Sequence, residues 1–348
     1  MDNRETRVRV VVSGEEELWR QRVAAFARAP ALLRERGIDP ALALAPAGLP
    51  ESAFDLPDNS IPYAALGRFL HGAAQLSGCE HFGLLVGDGA GLKALGLVGG
   101  LMANAPTLRD SLRYLMVYHH LNSQGGAAFV HELGTVAELG YTIYHSEVVG
   151  PRQIAYAVTA MAITYMRELC GAAWVPTEVL YAHTPPADLS PFKALFRSPI
   201  RFNAERTALR FPSQWLDRPV VGASAAMLRE LEAQALALPP QDLLDKLRRS
   251  LRVRLLTQVA SGDAMADMLA MHRRTLNRRL HAAGTTFREV LEDVRFDTAC
   301  QLLDATELPL EDIADALGYA SVSPFTRAFR RRAGVPPGQW RRDAAGQR

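Results

Sequence analysis

Asp312–Arg341 reads DIADALGYASVSPFTRAFRRRAGVPPGQWR, and the organisation of the whole chain can be worked out from it. A short amphipathic segment, Ile313-Ala-Asp-Ala-Leu317, is followed by a turn at Gly318-Tyr-Ala-Ser321 and then by an arginine-rich segment with Phe325 and Phe329 four apart. Side chains at i and i+4 share one face of a helix. The two rings are therefore expected in a core, with Ser323, Thr326, Arg327 and Arg330 on the outer face. The pattern occurs once before: Met265-Ala-Asp-Met-Leu269 matches Ile313–Leu317 at an offset of 48, and Thr275-Leu-Asn-Arg-Arg-Leu280 matches Pro324–Phe329 at an offset of 49. In that earlier copy the turn is Ala270-Met-His272, Leu276 and Leu280 take the inner face, and Arg274, Asn277, Arg278 and His281 take the outer one. The repeat predicts two helix-turn-helix units.

The outer faces carry the chemistry that reads the major groove of B-DNA, where Arg pairs with guanine, Asn with adenine, and Ser or Thr with several base edges. Arg274, Asn277 and Arg278 in the first unit, and Ser323, Thr326 and Arg327 in the second, are the expected base contacts. Arg273, Arg279, Arg330 and Arg331, with Arg332 beyond them, suit phosphate contacts that hold register without reading sequence. A single charged helix face is usually just solvated; two such faces in matched frames favour DNA. The charge distribution agrees. Residues 245–348 hold 18 Lys+Arg against 13 Asp+Glu, net +5, whereas the residues before them hold 21 against 24.

Residues 245–342 resemble the DNA-binding domain of the AraC/XylS family of bacterial transcription regulators, most closely in Asp312–Arg341. That resemblance implies two helix-turn-helix units joined by a long helix, here about Phe287–Leu303, which places recognition helices in successive major grooves. His272 stands where such domains often have a capping Ser. Val322 and Pro324 replace polar residues at the start of the second recognition helix, which suggests apolar contact with thymine methyls there.

The chain has 348 residues, 48% of them hydrophobic and 22% charged, about twice the usual length of one domain. Helices are predicted at 16–36, stopping at Gly37, at 62–77, at 106–121, at 151–170 and at 224–238. Alternating stretches at 127–133 and 136–144 predict a hairpin around Gly134. A strand is predicted in VPTEVLYAH, and a second hairpin from 200–202 and 208–211. The fold class expected is an α+β sensor domain over residues 1–222, a helical linker at 223–244, an all-α DNA-binding domain over 245–342 and a tail at 343–348. The stretches GIDPALALAPAGLPESAFDLPDNSIPYAALGRFL, LGLVGGLMANAPTLRDSLRYL and PFKALFRSPIRFNAERTALRFP resemble the so-called arabinose-binding N-terminal domain of the branch that includes ornithine-utilisation regulators. This implies small-molecule sensing and dimerisation.

The candidate effector contacts are Phe129, Tyr141, Tyr144, Tyr156 and Tyr165, with Arg152 or Arg167 available to a carboxylate. Such a lining suits a small organic ligand with a modest polar head better than a sugar, although ordinary core filling is the competing explanation of the same aromatics. The apolar faces of 151–170 and of Met227, Leu228, Leu231 and Ala235 suggest a homodimer, unless both pack inside the N-terminal domain.

Catalytic and metal signals are weak. Gly87-Asp-Gly-Ala-Gly91 lacks the Gly of GxGxxG and the Gly-Lys of a P-loop and reads as a turn. His119-His120 are adjacent, unlike the i,i+4 pair of HExxH, so no metal or cofactor is expected. No GxSxG occurs, and Cys170 sits on an apolar helix. Cys79, Cys170 and Cys300 form no CxxC pair, which fits a reducing compartment. MDNRETRVRV has no signal-peptide core, and the apolar runs fall short of the ~20 residues that span a bilayer. The expectation is a non-enzymatic, cytoplasmic, ligand-responsive regulator whose partners are double-stranded promoter DNA, a small organic effector and RNA polymerase, with no membrane. An architectural DNA-binding protein and a DNA-tethered enzyme are the alternatives.

Overall fold

The computed structural model describes residues 19–143, 148–238, 243–255, 262, 265–266 and 271–345. The N-terminal part is mixed α/β. Its first two strands, β1 (Arg20–Arg22) and β2 (Ser60–Pro62), pair antiparallel. A five-stranded sheet follows, made of β3 (Gly126–Leu133), β4 (Val136–Ile143), β5 (Glu178–Leu180), β6 (Ile200–Arg201) and β7 (Thr207–Pro212), in the order β3-β4-β7-β5-β6. β3 and β4 form the expected hairpin, with Gly134 at φ 66° in its turn. Side chains alternate across a strand, so Ala128, Ala137, Leu139, Leu209 and Phe211 face the main core and Phe129, Ala208 and Leu180 the other side.

The Pro151–Cys170 helix packs on the inner face and buries Ile154, Ala157, Ala160, Ile163 and Met166. Gly83 and Gly87 let the helix Phe82–Gly87 approach it closely, because a Cβ at either position would come within 2.0–2.1 Å of the Gln153 and Ala157 carbonyl oxygens. The glycine-rich run thus begins in a helix contact. Gly89, at φ 81°, lies in the turn beyond.

Two sequence expectations need correction. The stretch 16–36 is not one helix: in its described part, Arg20–Arg22 is a strand, and a helix spans only Ala29–Arg34. Pro30 explains the late start, since proline has no N–H to give the preceding turn and fits only at a helix's beginning. The strand is held from a distance, by the Gln124 side chain accepting from the Arg20 N–H at 3.0 Å and the Asn122 carbonyl accepting from the Arg22 N–H at 2.8 Å. The stretches 200–202 and 208–211 do not form a hairpin either. β7 has β4 on one edge and β5 on the other, so β6 can add only outside β5, and it does so in parallel.

The helix Ala225–Leu236, capped by Ser224, buries Leu228 and Ala235 against Leu101, with Leu97, Tyr114, Tyr118 and Leu231 packed around them. The Tyr114 hydroxyl donates to Glu232. Beyond it the described residues are mostly helical. Two small cores flank the connecting helix Phe287–Ala305: Leu247, Leu251, Leu255, Met265, Leu276 and Leu280 meet its Val290 and Val294, while Ile313, Leu317, Phe325 and Phe329 meet Ala299, Cys300 and Leu303. No helix among the described residues is long and apolar enough to cross a membrane.

Candidate nucleic-acid interface and effector cavity

The helix Arg273–Ala282 turns Leu276 and Leu280 into the first small core, which sends Arg273, Arg274, Asn277, Arg278, Arg279 and His281 to the exposed side. His272 caps this helix, its Nδ1 accepting from the Arg274 N–H at 3.3 Å. It thereby does the work of the Ser that the sequence lacks there.

The helix Val322–Ala333 repeats the geometry with rings. Phe325 and Phe329 are buried, and Phe296, Tyr319 and Trp340 pack around them at centroid distances of 5.2–5.7 Å. Ser323, Arg327 and Arg330 are exposed and Thr326 is half-buried. Val322 packs against this core, which removes it as a thymine-methyl contact and leaves Pro324 as the apolar candidate. Arg331 reaches back to Glu292 at 3.4 Å, and Arg332 to Asp293 while lying over the Phe296 ring. The last turn of the second recognition helix is thus tied to the connecting helix.

That connecting helix starts with a capping box: the Thr286 N–H donates to Glu289 at 2.8 Å and the Glu289 N–H to the Thr286 hydroxyl at 3.2 Å. The Thr286 hydrogen bonds hold the Glu289 carboxyl below its ordinary range. Nineteen residues rise about 28 Å. The first unit packs on its Val290 and Val294 and the second on its Ala299, Cys300 and Leu303, so one helix carries both arginine-bearing helices.

In the N-terminal domain a cavity of about 70 Å³ lies between the inner face of β3–β4 and the Pro151–Cys170 helix, lined on one side by Ala128, Leu139 and Tyr141 and on the other by Val158, Thr159, Met161, Ala162 and Tyr165. Its ends are closed by Gln21, Leu115, His119, Asn122 and Ser123, among others. The Tyr141 hydroxyl sits 3.0 Å from the Ser123 hydroxyl and 3.1 Å from that of Tyr63. Thr159 donates within its own helix and meets the Tyr181 hydroxyl at 2.6 Å. Burial pushes the Tyr165 hydroxyl well above its ordinary pKa.

Of the expected effector contacts, Tyr141 and Tyr165 line this cavity, and Tyr144 lies outside the described residues. The others are elsewhere. Phe129 is on the opposite face of the sheet, since Ala128 is the residue registered with Tyr141. Tyr156 packs edge-on against Tyr181, His183 and Phe192. Arg152 donates to the Thr184 hydroxyl at 2.7 Å, and Arg167 to the Leu195 carbonyl at 2.8 Å. Gln21, Asn122, Ser123 and Thr159 were not expected, because they come from three separated stretches and carry no local pattern. His119 was noted only as half of an adjacent pair; it is buried at the cavity while His120 is half-exposed. Among the described residues no cluster of three His, Cys, Asp or Glu could hold a metal, and burial pushes the Cys170 thiol up to about 11.

The family profile described as "Arabinose-binding domain of AraC transcription regulator, N-term" matches residues 37–220. The chain belongs to the AraC family of transcription regulators. A helix-turn-helix domain profile of the same family matches residues 265–343. Among its AraC-family relatives, the ornithine utilization regulator of Pseudomonas aeruginosa is 28% identical over 89% of this chain and 93% of its own length. The HTH-type transcriptional regulator VirS of Mycobacterium tuberculosis is 29% identical over the same shares. The crystal structure of the transcriptional regulator CdpR from Pseudomonas aeruginosa aligns over 92% of this chain and 98% of that one, at 21% identity and a TM-score of 0.46. These relatives are regulators and not enzymes, and the chain is likewise an AraC-family regulator with an N-terminal ligand-binding domain.

Proposed function

We propose that the two recognition helices read promoter DNA through Arg274, Asn277 and Arg278 in one major groove and Ser323, Thr326 and Arg327 in the next, with Arg273, Arg279 and Arg330 on phosphates. The observation that carries this reading is the pair of outward arginine faces on two helices packed against a single connecting helix. Arg331 is the weakest of the phosphate candidates, since Glu292 already holds it. A small-molecule effector in the N-terminal domain controls the engagement of DNA, RNA polymerase is the partner acted on, and the setting is the cytoplasm.

The matched domain is named for arabinose and one relative for ornithine utilization; neither name fixes the effector of this chain. The domain limits proposed are 1–222 and 245–342. The helix Ala225–Leu236, although expected as part of a linker, packs as the last helix of the first unit. Of the apolar faces that suggested a homodimer, 151–170 and Leu228, Leu231 and Ala235 are largely covered within the chain, whereas Met227 is exposed; a homodimer remains part of the proposal.

The test is binding of the full chain to promoter and random DNA at several salt concentrations. Arg278→Ala should lose affinity on promoter DNA and little on random DNA. Arg279→Ala should weaken both alike and reduce the salt slope by about 1. Equal losses for both variants on both DNAs would overturn the base-reading assignment.

A further inference from the structure

The cavity in the N-terminal domain has an unusual composition for a ligand site: Lys, Arg, Asp and Glu are all missing from its lining. The two arginines placed on the same helix by the sequence are turned away, onto Thr184 and the Leu195 carbonyl. Apart from the His119 ring, a carboxylate or ammonium group brought here would meet no side chain able to carry a counter-charge, and burying a charge without one costs far more than a few apolar contacts return. What the cavity offers instead is aliphatic and aromatic carbon together with the neutral polar side chains of Gln21, Asn122, Ser123, Tyr141, Thr159 and Tyr165, the Ser123 and Tyr141 hydroxyls lying 3.0 Å apart. Hydroxyls can donate or accept, so they match a carbonyl, a hydroxyl or a neutral amide equally well.

Size narrows the class. About 70 Å³ is under half the ~150 Å³ cavity that accommodates benzene, and a pyranose would bring many hydroxyls to a lining whose Gln21, Asn122 and Thr159 side chains are already bonded to the Arg22 carbonyl, the Leu95 carbonyl and the Tyr181 hydroxyl. We infer that this cavity is the effector site and that it takes a small uncharged molecule with one or two hydrogen-bonding groups, such as a short-chain ketone, alcohol or amide.

The cavity also has a mechanical outlet. Leu115 and His119 close it, and they belong to the stretch whose Tyr114 and Tyr118 pack against Leu231 and whose Tyr114 is bonded to Glu232. An occupant slightly larger than the empty space pushes on the segment that holds the helix Ala225–Leu236, the last element before residue 239. Binding at the cavity is thereby linked to the chain leading into the DNA-binding half.

This inference rests on the N-terminal domain being the effector sensor, and the experiment separates the two. The full chain is titrated by calorimetry and thermal melting with 2-butanone, isobutanol and propionamide, and in parallel with butyrate, ornithine and arabinose. Neutral compounds should bind and raise the melting temperature. Ser123→Ala should weaken that binding about tenfold, and Ala162→Leu, which fills the cavity, should abolish it; Arg152→Ala should leave it unchanged. If Ala162→Leu melts early, Ser123→Ala still decides. Binding of butyrate, ornithine or arabinose in place of the neutral compounds would overturn the assigned chemistry while leaving the sensor reading intact. Absence of binding by all three neutral probes would overturn it as well.

Discussion

The two halves of the molecule keep their polar chemistry in opposite places. The C-terminal half displays it: Arg274, Asn277, Arg278, Ser323 and Arg327 are exposed, and of its described polar residues only Thr298 and Thr306 are buried. The N-terminal half encloses it, with Gln21, His119, Asn122, Ser123, His131, Glu138, Thr159 and His183 all buried. A surface built to meet a polyanion needs only rigid small cores and outward charge, whereas a chamber built to recognise a small molecule needs hydrogen-bonding groups shielded from water. Removing a ring, adding a proton, deleting an outward arginine and exchanging a cap each act on one side of this contrast.

The largest effect is expected in the C-terminal half. Phe329 packs between Phe296 and Trp340, and Phe329→Ala should cost ~3–5 kcal/mol by leaving a cavity in a core of few residues. Hydrogen exchange should rise across 310–345 while the N-terminal sheet stays protected. Unchanged exchange there would mean that the ring does not hold the second unit together.

Acid should act on the other half. Burial lowers His131 and His183 to about 4, with the nearby arginines Arg206 and Arg152 adding to the effect. Both rings are neutral in the folded protein at pH 7, and the unfolded chain titrates near 6.5. Between those values the unfolded state binds more protons, so their contribution is complete above pH 6.5 and is lost as the pH falls toward 4. The N-terminal domain should lose on the order of 5 kcal/mol between pH 7 and 4.5, a slope that His183→Gln should flatten. Exchange measured segment by segment at both pH values should rise chiefly in the N-terminal half; a larger rise in the C-terminal half would contradict this.

Smaller still is the change at one base contact. Arg274→Ala should cost ~1–3 kcal/mol on promoter DNA and relax specificity at one position, with no change in melting, because the side chain is exposed. A drop in melting temperature would assign Arg274 a structural role. His272→Ser tests the cap. Serine is among the favoured N-cap residues, so the exchange should stabilise the first unit by less than ~1 kcal/mol, seen as a small rise in its melting temperature; a loss would show that the imidazole does more than cap.

The same contrast explains what could be read from the sequence. Phe325 and Phe329, or Leu276 and Leu280, define an inner face by spacing alone, and everything outward follows from the helical period. Val322 escaped this reading because it sits at the helix start, where packing against the second core decides its direction. The hairpin was legible from alternation and Gly134, yet the side of the sheet on which Phe129 falls depended on its register with Gly140. β1 was missed because its support comes from Asn122, Gln124 and β2, far along the chain. Arg152 and Arg167 were offered to a carboxylate because nothing local in the sequence shows that the Thr184 hydroxyl and the Leu195 carbonyl, 32 and 28 residues away, come within reach of them. Ser123 and Tyr141 become neighbours only when the turn after the Leu108–Tyr118 helix closes over the sheet.

The central claim is that one rigid 19-residue helix sets the distance between two base-reading helices. It is tested most directly by inserting 5 base pairs between the two halves of the protected promoter site and measuring the affinity of the full chain. Half a turn of DNA carries the second groove to the far side of the duplex, so only one helix can engage. The account predicts that specific binding falls to that of a half-site, and that Arg327→Ala then has no further effect. Affinity unchanged by the insertion, with Arg327→Ala still costly, would contradict it.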